Sequence, residues 1–245
     1  MQYLNVAIQY GVYLLEAGLL VFLLLRRRAH RVLGVFVYLS LLLATDAIGR
    51  PFVLYHYGYS SSQYGYFYWL TDFLLTLGAF LLVCAFFRRA CVNQQKMWRS
   101  IRLMLAFVLV LTFLISAFAL SKNYDQLLTR FTFEFQQNLY FTCLVLVTLL
   151  YILIQQTNSA DEELTLLVCG MGIQFAGPAA NFALAYLTPG QGLYGVLYPY
   201  YVGPLCTMGM LLTWFYALVW VRQPSASRAG EVTARELAAV VSREA

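Results

Sequence analysis

Seven stretches of this chain, at about residues 4–25, 32–50, 66–87, 103–120, 135–154, 164–187 and 197–221, run for about 20 residues each with little charge. A hydrocarbon core of roughly 30 Å needs about 20 apolar residues at 1.5 Å rise per residue. The pattern predicts an all-α polytopic membrane protein with seven transmembrane helices. Composition agrees: 61% of residues are apolar and 11% charged, against roughly 45–50% and about 25% in a soluble domain. A water-soluble globule, a disordered chain and a small disulfide scaffold are excluded with it. The first stretch has no basic segment before it, and Arg26, Arg27 and Arg28 follow it as a stop-transfer cluster. It is therefore expected to be retained rather than cleaved as a signal peptide.

Orientation follows from Lys and Arg. Segments 26–31, 88–102, 155–163 and the tail together hold thirteen; the opposite side holds three, Arg50, Lys122 and Arg130. Cytoplasmic loops carry the excess, so the N-terminus is expected outside and the C-terminus in the cytoplasm. Asp161, Glu162 and Glu163 run against the trend. The net charge of +5 then faces anionic headgroups, and a nucleic-acid partner is not expected. The domains read as 1–222, the seven-helix membrane domain, and 223–245, a short cytoplasmic tail. In that tail Thr233 and Glu236 have the spacing of a capping box opening an amphipathic helix over 234–243. The expected location is the cell's inner (plasma) membrane, multi-pass, with the lipid bilayer as first partner.

Five cysteines and two histidines bound the chemistry. No cysteine falls in an outside loop and no CxxC occurs, so no disulfide framework is expected. Cys91, just inside the membrane, is placed for acylation. Segment 50–65 holds Pro51, Gly58, Gly65 and three serines, which break helices, together with many tyrosines. With Tyr66, Phe67, Tyr68 and Trp69 it reads as an aromatic belt at headgroup level, or alternatively as an aromatic ligand cage.

An ionisable group at membrane depth costs about 2.5–3.5 kcal/mol and by default faces the bundle interior as a functional candidate. Glu16 lies roughly 18 Å below the outer boundary, on one face with Gln9 and Tyr13. Asp46 and Arg50 are four apart on helix 2. Asp72 lies roughly 9 Å deep on helix 3, in a stripe with Tyr68 and Thr76. Helix 5 opens with Glu134, Gln137, Asn138 and Phe141 on one face, and Gln174 and Asn181 share a face of helix 6. Helix 7 enters with Tyr198, Tyr200 and Tyr201. The candidate ligand-binding set is Glu16, Asp46, Arg50, Asp72, Glu134, Gln137, Gln174, Asn181 and Tyr200. Most gather toward the outer side, with Glu16 and Gln174 near mid-membrane, while the inner halves are nearly free of polar groups. Structural readings stand beside this one. Asp46–Arg50 can be an interfacial ion pair, Gln174 and Asn181 can bond neighbouring helices at about 0.6 kcal/mol each, and Glu16 can be a neutral acid bonded to a carbonyl. Pro178 is expected to kink helix 6, and Pro204 helix 7.

Enzyme classes find little support. The only lysines, Lys96 and Lys122, lie in loops, so no Schiff-base retinal is expected. His30 and His56 lie in loops too, which removes haem ligation and zinc-dependent lipid hydrolysis. No HExxH, GxSxG, P-loop or GxGxxG occurs. An aspartyl pair of Asp46 and Asp72 has no supporting motif. No cofactor and no metal are expected, and the chain leans away from being an enzyme. The two halves do not repeat each other, as an inverted-repeat transporter would require.

Tyr13-Leu14-Leu15-Glu16, the Arg26–Arg28 run, Arg50-Pro51-Phe52 and Tyr68-Trp69 together resemble uncharacterised seven-helix bacterial integral membrane proteins, a resemblance that implies no activity. In topology alone the chain is also similar to sensory seven-helix modules. The expectation is a receptor-like or sensory protein with an outward-facing polar cavity for a small polar ligand. Its 23-residue tail is far too short for an enzyme domain, so it would signal through a separate cytoplasmic protein partner. The alternatives are a small solute transporter with Glu16 as coupling group, or a non-catalytic membrane scaffold subunit.

Overall fold

The computed structural model describes residues 2–25, 32–58, 61–92, 94–120, 127–156, 161–187 and 201–221. The expected tail helix at 234–243, and Tyr198 and Tyr200, lie outside these residues. Among the described residues the chain forms seven helices: α1 (Gln2–Leu25), α2 (Leu33–Tyr57), α3 (Ser62–Ala90), α4 (Gln95–Leu120), α5 (Leu127–Gln156), α6 (Glu162–Leu187) and α7 (Gly203–Val219). Six are long and apolar enough to cross a membrane, which marks this as a membrane protein. The exception is α7, whose 17 residues reach only about 26 Å. The outward surfaces are apolar: Leu103, Phe107, Val110 and Leu114 stand exposed along α4, a patch that water would not tolerate.

Two helices outlast their apolar windows. α4 starts at Gln95 rather than 103, because a polar first turn can stay helical at headgroup level, and α5 starts at Leu127, within the amphipathic segment 121–133 expected from sequence to extend it outward. Segment 50–65 departs further from the expected loop. α2 continues to Tyr57, and the break is confined to the turn around Gly58, at φ 74°. There the Ser61 hydroxyl accepts the Tyr64 N–H at 3.1 Å and caps α3, as an N-cap serine does. Pro51 fits inside α2 because the preceding turn, Ala44–Gly49, is a π-helix. The Arg50 N–H bonds the Thr45 carbonyl five residues back, so the helix is wound wide where the proline ring would otherwise strike the carbonyl four residues before it.

Helix neighbours form a ring, α1–α2–α3–α5–α6–α7, closed by α1 against α7, with α4 outside on α3 and α5. Side-chain register fixes the directions. A Cβ on Gly34 would meet Leu82 and one on Gly78 would meet Leu41, so α2 and α3 run antiparallel. Asp72 meets Gln136 and Thr76 meets Tyr140, so α3 and α5 run parallel. The closest packing joins α6 to α7. A Cβ on Gly170 would lie 2.6 Å from Trp214 Nε1 and one on Gly177 2.6 Å from Cys206 Sγ. The buried indole uses that space to donate to the Leu167 carbonyl at 2.9 Å. Small residues permit such approach in membrane bundles. Pro178 sits inside α6, and Pro204 lies in the first α-helical turn of α7, preceded at residues 201 and 202 by π-helical backbone.

At the end of the bundle where α3 meets α6, Arg89 binds two carboxylates. Its Nε and Nη2 donate to Asp161 at 3.0 and 3.1 Å, and Nη1 donates to Glu163 at 3.1 Å. The acidic run that broke the charge trend is thus a tie between helices. Cys91, at the C-terminus of α3, is buried, and burial pushes its thiol pKa up. Neither favours the acylation read from its position.

Candidate functional site

The widened turn of α2 presents Asp46 and Arg50 to α3. Arg50 Nη1 lies 2.9 Å from Asp46 Oδ1, at an angle that makes it an ion pair rather than a hydrogen bond. Arg50 Nη2 donates to Asp72 Oδ1 at 3.3 Å, and its guanidinium sits 4.5 Å from the Tyr68 ring centroid, in cation–π range. From α5, Gln136 Nε2 donates to Asp72 Oδ2 at 2.7 Å. One guanidinium therefore bridges two carboxylates on adjacent helices, and an amide fixes the second from a third helix.

This cluster forms one wall of a cavity of about 1090 Å³ inside the ring, large enough for a small organic ligand. Every helix of the ring lines it and α4 does not. Across from the charged cluster stand Gln9 and Tyr13 of α1, Gln174 and Asn181 of α6, and Thr207 of α7. The lining carries two carboxylates against one guanidinium, all three partly solvent-exposed. It is thus net negative and rich in aromatic rings, a surface suited to a cation or a polar group.

The cavity has a floor. Beyond the lining set, and past Glu16 on α1, each ring helix carries buried apolar residues: Leu19 and Leu23 on α1, Val35 on α2, Val83 on α3, Leu150 on α5, Leu167 on α6 and Trp214 on α7. Tyr38 stacks edge-on against Trp214 at 6.1 Å, joining α2 to α7 across it. The polar space ends there, and the bundle beyond is packed.

Of the residues expected from sequence, Asp46, Arg50, Asp72, Gln174 and Asn181 line this one cavity. Glu16 does not: it is fully buried one turn beyond Val12 and Tyr13, and no described group bonds either carboxylate oxygen. Glu134 and Gln137 also lie outside the lining. Asn138, on the face chosen with them, turns to α4 and donates to Ser116 at 3.2 Å, while Gln137 is buried with its Oε1 meeting no hydrogen-bond partner among the described residues. The inward stripe is Phe135, Gln136, Leu139, Tyr140 and Cys143, so Gln136 was missed by a single position. Tyr200 lies outside the described residues. The aromatic segment divides in two: Tyr55, Tyr57 and Tyr66 are exposed as a belt requires, while Tyr64, Tyr68 and Trp69 line the cavity. Among the described residues no group of three or more His, Cys, Asp or Glu is placed to hold a metal ion. No family of known proteins matches the chain, no curated protein matches it in sequence, and no solved structure matches its fold.

Proposed function

We propose that this chain is a receptor-like or sensory seven-helix protein of the inner (plasma) membrane, with its N-terminus outside and its C-terminus in the cytoplasm. Its cavity faces outward, takes a small polar ligand with a preference for positive charge, and signals through a separate cytoplasmic protein partner. The observation that carries this reading is the blind end of the cavity. Asp46, Arg50 and Asp72 sit at the end with few basic residues, and the Leu19–Val35–Val83–Trp214 layer closes the other. A path for a solute would need polar groups on both sides of that layer. One observation favours transport instead: Glu16, a buried and unbonded carboxyl group just below the cavity, is placed where a coupling group would be.

Cys206 lines the cavity and serves as a built-in probe. In a variant keeping only that cysteine, a membrane-impermeant cationic thiol reagent is expected to modify it from outside intact cells and not from inside inverted vesicles. Asp72→Asn is expected to slow the cationic reagent several-fold while leaving a neutral reagent unchanged, because it removes the excess of negative charge in the lining. Modification from both sides would favour the transporter.

A further inference from the structure

A second cavity, of about 620 Å³, lies between the C-terminal end of α3 and the start of α4, lined by Arg88, Cys91, Val92, Gln95, Trp98 and Arg102. It holds two guanidinium groups and no carboxylate. Nothing in its lining neutralises that charge. No Asp or Glu occurs in residues 73–124, and the Asp161 and Glu163 carboxylates at this end are bound to Arg89. Arg88 and Arg102 themselves make no ion pair or hydrogen bond with the described residues. The indole of Trp98 and the amide of Gln95 add neutral donors. Beside the pocket, the flank of α4 exposes Leu103, Phe107, Val110 and Leu114 toward the lipid.

We propose that this pocket binds an anionic phospholipid. Arg88 and Arg102 hold the phosphate, on which forked guanidinium donors fit two oxygens at once. Trp98 packs at headgroup level, and the acyl chains lie along the exposed flank of α4. The phosphate is what a soluble phosphate ester would share; the apolar flank, continuous with the bilayer, is what selects the lipid. The site is independent of the ring cavity and of the sensory reading, since it lies at the opposite end and shares no residue with it.

The test uses the full chain purified in detergent, titrated with short-chain phosphatidylglycerol, short-chain phosphatidylcholine and glycerol phosphate, with bound lipid counted by native mass spectrometry. The anionic lipid is expected to bind at least about tenfold more tightly than the zwitterionic one. Each basic residue near an anionic surface contributes about fivefold, so Arg88→Gln or Arg102→Gln should each cost about fivefold and the double variant about twenty-five-fold. Lys96→Gln with Arg99→Gln removes the same charge from exposed positions outside the pocket and is expected to cost less than about threefold. Thermal melting of every variant confirms that it is folded, and the single variants serve if the double one is not. Equal loss in the two double variants would overturn the site in favour of diffuse surface charge. Equal binding of both lipids, or glycerol phosphate binding as tightly as the anionic lipid, would overturn the lipid assignment.

Discussion

Glu16 offers the sharpest test of the cavity reading, because the two leading functions ask opposite things of it. Its side chain is fully buried and neither oxygen meets a described hydrogen-bond partner. A buried polar group left unsatisfied costs about 1–3 kcal/mol. Replacing it with leucine, of similar size, removes that cost and fills the same buried space, on the α1 face that also carries the buried Val12 and Leu19. Glu16→Leu is therefore expected to stabilise the protein by about 1–3 kcal/mol, or about 2–12 °C in melting temperature for a chain of this length. Glu16→Gln keeps a polar group in the same position and should change stability by no more than about 1–2 kcal/mol, the upper range for interhelical hydrogen bonds in membranes. Melting is followed by intrinsic fluorescence in detergent, and solute-driven proton flux in proteoliposomes is measured alongside. A sensory protein shows no flux in the wild type or in Glu16→Gln. A lower melting temperature for Glu16→Leu would refute the reasoning, since the carboxyl would then be holding a partner that leucine cannot. Robust wild-type flux abolished by Glu16→Gln would reverse the ranking of receptor over transporter.

Gly170→Ala is expected to destabilise by about 1–3 kcal/mol, because the added methyl would fall 2.6 Å from the indole nitrogen of the fully buried Trp214; the thermal melt of the purified variant checks it, and an unchanged melt would mean that α6 and α7 are not packed so closely. Arg89→Gln should cost about 1–3 kcal/mol, since it removes the guanidinium that binds both Asp161 and the buried Glu163, and adding Asp161→Asn should recover part of the loss. For topology, a cysteine at residue 60 is expected to be labelled by an impermeant reagent outside intact cells, and one at residue 228 only after permeabilisation; the reverse pattern would invert the cavity.

The helices were legible because lipid imposes a length. Where the solvent is hydrocarbon, 20 apolar residues announce a span almost regardless of what they pack against. What periodicity could not locate were the ends set by something other than apolarity. Pro51 and Gly58 look like equal breakers in sequence, yet only Gly58 ends a helix, at φ 74°. The π-turn that accommodates Pro51 depends on i→i+5 bonding, which leaves no compositional mark. The Arg89 tie was hidden for a different reason. Its partners lie 72 and 74 positions away, and charge counting treats Asp161 and Glu163 as loop residues that weaken a topology signal.

The charged cluster was readable in its members and not in its arrangement. Asp46 and Arg50 are four apart, and depth alone puts Asp72 at their level. That Arg50 would reach both acids follows from α2 and α3 being antiparallel neighbours with a tight turn at Gly58 between them. On α5, by contrast, the polar face and the inward face differ. Glu134, Gln137 and Asn138 form the more polar stripe, so hydrophobic patterning selects it as the lining. In a bundle whose outer solvent is lipid, however, a polar residue can be sheltered by any neighbouring helix, and here α4 shelters Asn138 through Ser116. The residue that completes the site, Gln136, sits between Phe135 and Leu139 on a stripe that reads as core. Its amide is fixed by the Asp72 carboxylate at 2.7 Å, an unpaired lone-pair site on α3 that would otherwise be costly at this depth. The polarity of one helix was thus decided by the unmet valence of another, which no reading of α5 by itself contains.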